Sequence, residues 1–206
     1  MKTKLITGPM KAGKTRQLVL DLEQYVIAKK NVLWFEPSLD TRGGSHGNFL
    51  TQRMEELKNS SFVHSFKIKD PEDILKKGLE FFERLKIEAI FVDEYFMIPF
   101  KRDFFYEYEK SKLKEVPIVF AGLISSWAAE LFPTAINVIP FMDEIQKTDA
   151  ICMECGKPAN YNYYNADWNE NKTIDDGKNY ECLCHDCYMR KTGKPISIDP
   201  FLSPPN

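Results

Sequence analysis

Gly8-Pro9-Met10-Lys11-Ala12-Gly13-Lys14-Thr15 meets the pattern G-x-x-x-x-G-K-[ST] at every fixed position. Glycines let backbone N–H groups turn inward around phosphate oxygens, Lys14 can bring a positive charge to the β and γ phosphates, and the Thr15 hydroxyl can ligate Mg²⁺. All eight residues are therefore candidate contacts of a nucleoside triphosphate such as ATP. The flanks agree. Lys2 to Thr7 reads as a short strand, and Lys14 to Lys30 reads as a helix with Leu18, Leu22, Tyr25 and Val26 on one face. The plain alternative, a glycine turn without a ligand, does not call for that strand, loop and helix order.

Outward from the loop, Asn31 to Glu36 reads as a second buried strand and Pro37 to Gly47 as a polar, glycine-rich loop. Pro71 to Lys86 spaces Ile74, Gly78, Phe81 and Leu85 helically, with Leu75 and Phe82 beside them. Ala89 to Val92 and Pro117 to Phe120 are short apolar runs suited to parallel strands buried on both faces. Alternation of strands and helices predicts an α/β fold: a parallel sheet of the P-loop NTPase type with flanking helices and ligands at the carboxyl ends of the strands. From about Thr148 cysteines, tyrosines and asparagines replace the apolar runs. Three segments are expected: a phosphate-loop α/β domain over 1–147, a small zinc-binding subdomain over 148–194 and a proline-rich tail over 195–206.

Composition bounds the partners. With 206 residues and 43% hydrophobic side chains, the chain can hold one full α/β domain and a small appendage. A net charge of −2 without a basic stripe gives no reason to expect nucleic acid or an anionic membrane as partner. The first residues run straight into a strand, so neither a secretory signal nor a membrane span is expected, and the cytoplasm is the expected compartment. Five cysteines there favour metal binding over disulfides.

Two further signals carry chemistry. The apolar run Ile90-Phe91-Val92 ends in Asp93-Glu94, where a strand-tip carboxylate meets Mg²⁺ or its water. Asp93 is the metal-side candidate, and Glu94, one residue on, the candidate base, a role worth about 10² to 10⁴ in rate. Cys152-x-x-Cys155 and Cys184-x-x-Cys187 supply four thiolates for a tetrahedral, structural Zn²⁺, closing a loop of 28 residues at its base. Neither knuckle is followed by His, which excludes haem attachment, and two adjacent redox pairs explain the pattern less well than one metal. Cys182 reads as a packed thiol or as a ligand in place of Cys184, and His185 as a solvated side chain.

In this order, the phosphate loop, Asp40-Thr41-Arg42, the strand ending Asp93-Glu94, Ala121-Gly122-Leu123, Asn137-Val138-Ile139-Pro140, Ala150-Ile151-Cys152-Met153-Glu154-Cys155 and Tyr180 ahead of Cys184-His185-Asp186-Cys187-Tyr188 make nearly the whole chain resemble thymidine kinases of the zinc-containing, tetrameric type. The resemblance implies transfer of the ATP γ-phosphate to the 5′-hydroxyl of a deoxynucleoside, thymidine by default. Glu94 matches the base, Lys14 and Thr15 the donor site, and Asp40 and Arg42 a loop near the reacting phosphate, where an arginine offsets developing charge. It also implies a lasso-type zinc subdomain around the nucleoside, with Leu123, Trp127, Asp149, Asp175, Asp176, Gly177 and Tyr180 as nucleoside contacts, a homotetramer, and inhibition by the end-product triphosphate. Without it, Asp40 and Arg42 would read as a solvated loop pair.

Departures gather where that family reads the base. Ile124 stands where Asp is common, Trp127 where Phe stacks, Phe96 where Gln is usual, Asp149 where Thr lines the pocket, and Asp175-Asp176 where a Gly-Gly pair encloses the base. Trp127 can still stack. An ionised Asp149 only accepts hydrogen bonds, which suits the amino-bearing edges of guanine or cytosine, whereas thymine offers two carbonyls around one imino donor. Another deoxynucleoside is thus an alternative substrate. A nucleic-acid-binding ATPase is a second alternative, suggested by Tyr161, Tyr163, Tyr164 and Trp168, but Thr148 to Lys194 holds eight acidic and six basic residues where a phosphate-tracking surface would be positive. A GTPase fails because Asn171-Lys172-Thr173-Ile174-Asp175 misses N-K-x-D by one residue. A relative that has lost activity and survives as a binding protein conflicts with intact Lys14, Thr15, Asp93 and Glu94.

Overall fold

In the computed structural model, which describes residues 2–40, 48–165 and 179–193, strands and helices alternate for most of the chain. Their order is β1 (Thr3–Thr7), α1 (Lys14–Ile27), β2 (Val32–Pro37), α2 (Asn48–Lys58), β3 (Val63–Ile68), α3 (Glu72–Leu85), β4 (Ala89–Val92), α4 (Arg102–Lys110), β5 (Ile118–Gly122), α5 (Pro133–Val138) and β6 (Glu144–Lys147). The six strands form one parallel sheet in the order β3-β2-β4-β5-β1-β6.

Successive strand residues point to opposite faces, and both faces here are apolar. On one, Leu5, Leu33, Phe35, Ile90, Val92, Ile118 and Phe120 meet Ile74 of α3, Phe104, Phe105 and Tyr108 of α4, and Ala135 and Val138 of α5. On the other, Ile6, Val32, Trp34, Ala89, Phe91, Val119 and Ala121 meet Leu18, Val19 and Leu22 of α1 and Met54 and Leu57 of α2. Each large side chain so buried contributes about 1.5–3 kcal/mol relative to exposure. Gly78 lets α3 lie close, since a Cβ there would sit 2.6 Å from Leu113 Cδ1.

Boundaries differ slightly from the sequence-based expectation, for local reasons. Helix α1 stops at Ile27 and not at Lys30, because Lys29 turns left-handed (φ 56) and the Lys30 N–H reaches back to the Tyr25 carbonyl, 2.9 Å. Pro71 is the N-cap of α3, and Asp70 Oδ1 accepts from the Glu72 N–H at 3.0 Å. The strands that periodicity does not announce, β3 and β6, are the two edges of the sheet.

Beyond β6 the elements shrink. A two-stranded pair, β7 (Ala150–Ile151) with β8 (Pro158–Ala159), and a hairpin, β9 (Tyr161–Tyr164) with β10 (Tyr180–Leu183), lead to α6 (His185–Thr192). Their cluster is built from Ala150, Ala159, Leu183, Tyr188 and buried cysteines. The expected tail lies outside the described residues. Among the described residues, no helix is long and apolar enough to cross a membrane.

Candidate functional site

The loop between β1 and α1 is shaped by its glycines. Gly8 has φ +153, and a Cβ there would lie 2.1 Å from the Thr148 carbonyl oxygen. That close approach exists because the Thr148 N–H and hydroxyl both donate to the Thr7 carbonyl, at 2.7 and 3.0 Å. Gly13, at φ 78, caps α1 with no side-chain hydrogen bond, so the helix presents its first N–H groups and positive dipole end where an anion can bind. Lys14 and Thr15 open α1 and are buried. The Lys14 ammonium donates to the Pro9 carbonyl at 2.7 Å and closes the loop on itself.

At the same end of the sheet β4 delivers its two carboxyl groups. The Asp93 N–H extends the ladder to the Phe35 carbonyl at 2.9 Å, while Asp93 Oδ1 accepts from the Glu94 N–H at 3.0 Å. Asp93 is buried. Loss of water pushes its carboxyl up to about 8, with the Glu94 and Glu36 carboxylates adding and Lys14 opposing. A divalent cation would relieve that repulsion. Glu94 adopts a left-handed backbone (φ 47, ψ 41) ahead of a short 3₁₀ turn, Tyr95–Met97. Such strain in a residue with a Cβ costs of order 1–3 kcal/mol and gathers at working sites. Glu36, near the end of β2 and paired with Lys58, joins this carboxylate group, although in the sequence it reads only as a strand end.

The segment after β5 folds back on itself. The Ser126 N–H donates to the Glu130 carbonyl (2.8 Å) and the Phe132 N–H to the Ile124 carbonyl (2.9 Å), which sets Trp127 near the tip of the excursion. The Trp127 carbonyl accepts from the Tyr188 hydroxyl at 2.9 Å. Its ring lies 6.4 Å from Tyr164, which meets Tyr180 edge-on at 5.0 Å. Trp127 and Tyr180 thus belong to one aromatic row, joined by Tyr164. Leu123 is half-buried and Asp149 exposed. Phe96 stacks on Phe132 at 4.8 Å, and both rings, like Ile124, pack against the sheet's core. Asp40 lies half-buried in a turn closed by its own N–H to the Pro37 carbonyl, 3.1 Å. Arg42, Asp175, Asp176 and Gly177 lie outside the described residues, as do Thr41 and Trp168.

Cys152, Cys155, Cys184 and Cys187 converge, with all four sulfurs within 4.8 Å of one another. Burial acts against a thiolate at Cys152, yet the N–H groups of Cys184, Cys155 and Glu154 outweigh it and bring that thiol down to about 6. Arg190 donates to the Cys187 sulfur at 3.3 Å. Four sulfurs at this separation, met by N–H donors and a guanidinium, fit a four-thiolate zinc site with no open position. Cys182 stands outside it: its thiol points to the phosphate loop and donates to the Met10 carbonyl. That settles the alternative left open by spacing in favour of Cys184 as the fourth member of the cluster.

A profile of the thymidine kinase family matches residues 1–188. Similar proteins include the thymidine kinase of Mesoplasma florum, 28% identical over 201 residues that cover 92% of each chain. The thymidine kinase of Pyrobaculum aerophilum is 31% identical over 156 residues, 75% of this chain and 77% of that one. That of Amsacta moorei entomopoxvirus is 25% identical over 197 residues, covering 91% and 98%.

Proposed function

The chain belongs to the thymidine kinase family and is a phosphotransferase, and from that premise we propose that it moves the γ-phosphate of ATP to the 5′-hydroxyl of thymidine. The observation that carries this reading is the shared location of its chemistry: Asp93 and Glu94 leave β4 beside a phosphate loop whose Lys14 is near enough to act on the Asp93 carboxyl. Lys14 and the N–H groups opening α1 bind the triphosphate. Thr15 and Asp93 are the residues that would hold Mg²⁺, which when bound neutralises phosphate charge and lines the γ-phosphate up for attack. Glu94 accepts the proton of the 5′-hydroxyl as its oxygen attacks phosphorus. Asp40 and Arg42 act near the transferred phosphate, and the Trp127, Tyr164 and Tyr180 row stacks the base, with Leu123, Asp149, Asp175, Asp176 and Gly177 around it. A structural Zn²⁺ on the four cysteines fastens that wall, and the active molecule is a homotetramer, checked by light scattering against four times the 24.0 kDa chain mass.

The departure at Asp149 favours one second reading, a preference for deoxycytidine or deoxyguanosine, whose amino groups a carboxylate can accept from. Purified protein with Mg²⁺ and γ-labelled ATP, offered thymidine, deoxyuridine, deoxycytidine, deoxyguanosine, deoxyadenosine or water, tests both. Label is expected in thymidine monophosphate and is expected to collapse with Glu94→Gln. Label in another monophosphate moves the substrate assignment, and Asp149→Thr then returns the preference to thymidine. Label only in free phosphate removes the kinase assignment.

A further inference from the structure

Two side chains on one rung of the β9–β10 hairpin hold both backbone groups of a single phosphate-loop residue. Asn162 and Cys182 are paired across the strands, and both are buried. Asn162 Oδ1 accepts from the Met10 N–H at 2.7 Å, and the Cys182 thiol donates to the Met10 carbonyl at 2.6 Å. Because the Met10 N–H can only donate, the orientation of the Asn162 amide is fixed by this contact. The hairpin reaches the next residue too. Lys11 turns left-handed (φ 61), and its ammonium donates to the Tyr180 carbonyl at 2.9 Å. Met10 and Ala12 pack against the cysteine-rich cluster.

A division of donors follows. Pro9 has no N–H, the Met10 N–H is taken up by Asn162 and the Ala12 N–H donates to the Pro9 carbonyl at 3.4 Å, so the amides left for phosphate are those of Lys11 and of residues 13–15 that open α1. Their curvature depends on where the Met10 peptide is fixed. We propose that Asn162 and Cys182 are positioning residues for the triphosphate: they fix Met10 so that the amides of Lys11 and of residues 13–15 are set for phosphate before the nucleotide arrives. Donors set in advance need no rearrangement on binding. The inference rests on the kinase reading only in that the loop binds ATP.

The test uses the full-length, zinc-loaded protein with Asn162→Ala, Cys182→Ala, the double variant and Cys182→Ser. It reads the Kd of a fluorescent ATP analogue without nucleoside, KM for ATP and for the deoxynucleoside, and zinc content. Each alanine variant is expected to weaken the analogue about fivefold, the loss of one neutral hydrogen bond. The double variant is expected to lose less than the product of the two, since both act on one peptide. Cys182→Ser, whose hydroxyl still donates, stays within about twofold of wild type, while zinc content and the deoxynucleoside KM do not move. An unchanged Kd in both alanine variants overturns the proposal. So does a joint rise of both KM values with loss of zinc, the mark of a merely structural role. Should Asn162→Ala not fold, the Ala against Ser contrast at Cys182 decides alone. Wild type that binds the analogue yet phosphorylates no deoxynucleoside defeats the kinase reading, and the binding contrast among the variants then still decides the role of the Met10 contacts.

Discussion

A carboxyl group sealed at a strand tip, as Asp93 is, keeps its proton up to about pH 8, whereas its ordinary value is 3.8. Between those values the folded chain binds a proton that the unfolded chain has released, so stability falls as pH rises through the window. The contribution is fully present below about pH 4 and gone by about pH 8. Asp93→Asn removes the buried charge. It is expected to raise Tm at pH 8 by about 2–4 °C for each kcal/mol recovered, to raise it much less at pH 5, and to abolish Mg²⁺-dependent turnover. Melts at the two pH values without metal check this, and an equal gain at both would show that burial of the charge is not what the variant relieves. Glu94 poses the same conflict in its backbone. Glycine accepts φ 47 without strain, so Glu94→Gly is expected to gain about 1 kcal/mol in a denaturant titration while kcat falls about 10² or more.

The elements that carry the site differ in how they tolerate change. In the loop between β1 and α1, an alanine at Gly8 would drive its Cβ into the Thr148 carbonyl, a backbone atom that cannot swing away, whereas at Gly13 nothing lies within 4 Å. Gly13→Ala therefore costs only the left-handed backbone, about 1–2 kcal/mol, and Gly8→Ala is expected to cost clearly more and to weaken ATP binding. Denaturant midpoints and nucleotide titrations compare them, and equal losses would place the constraint in φ alone. The same elements explain what is legible in the sequence. Strands β2, β4 and β5 are covered on both faces, so Val32 to Phe35, Ala89 to Val92 and Ile118 to Ala121 are continuous apolar runs. Strands β3 and β6 are edges: Ser65 and Lys67 of β3 and Glu144, Ile145 and Lys147 of β6 stay at least partly exposed, and no apolar run announces them. Phosphate loop and cysteine knuckles are readable because each is local, with fixed residue types at fixed spacing. The grip on Met10 is not, because Asn162 and Cys182 are ordinary residues 152 and 172 positions away that only the completed hairpin brings near. Trp127 and Tyr180 come from resemblance, and the link between them through Tyr164 from the structure.

Across the molecule, the sheet and the cysteine-rich segment beyond it have separate cores and are joined at the phosphate loop. Each face of the sheet has its own buried cluster, and neither includes a cysteine of the knuckles. The phosphate loop, though it springs from the sheet, rests on the hairpin that runs through Leu183 into Cys184. Removing the metal, with a thiol reagent and a chelator, should therefore separate two properties that fall together in most proteins. The sheet is expected to keep its far-UV circular dichroism and a cooperative melt. Affinity for the fluorescent ATP analogue is expected to drop about fivefold or more, as Met10 loses its anchor. Restoring Zn²⁺ is expected to restore affinity. Loss of the cooperative melt on metal removal would mean that the sheet does not stand alone. Unchanged affinity in a metal-free, folded protein would mean that the loop keeps its shape without the hairpin, since the ion pairs of Glu154 with Arg190 and Lys191, and of Lys191 with Glu181, are partly solvent-accessible and too weak to hold that hairpin without the metal.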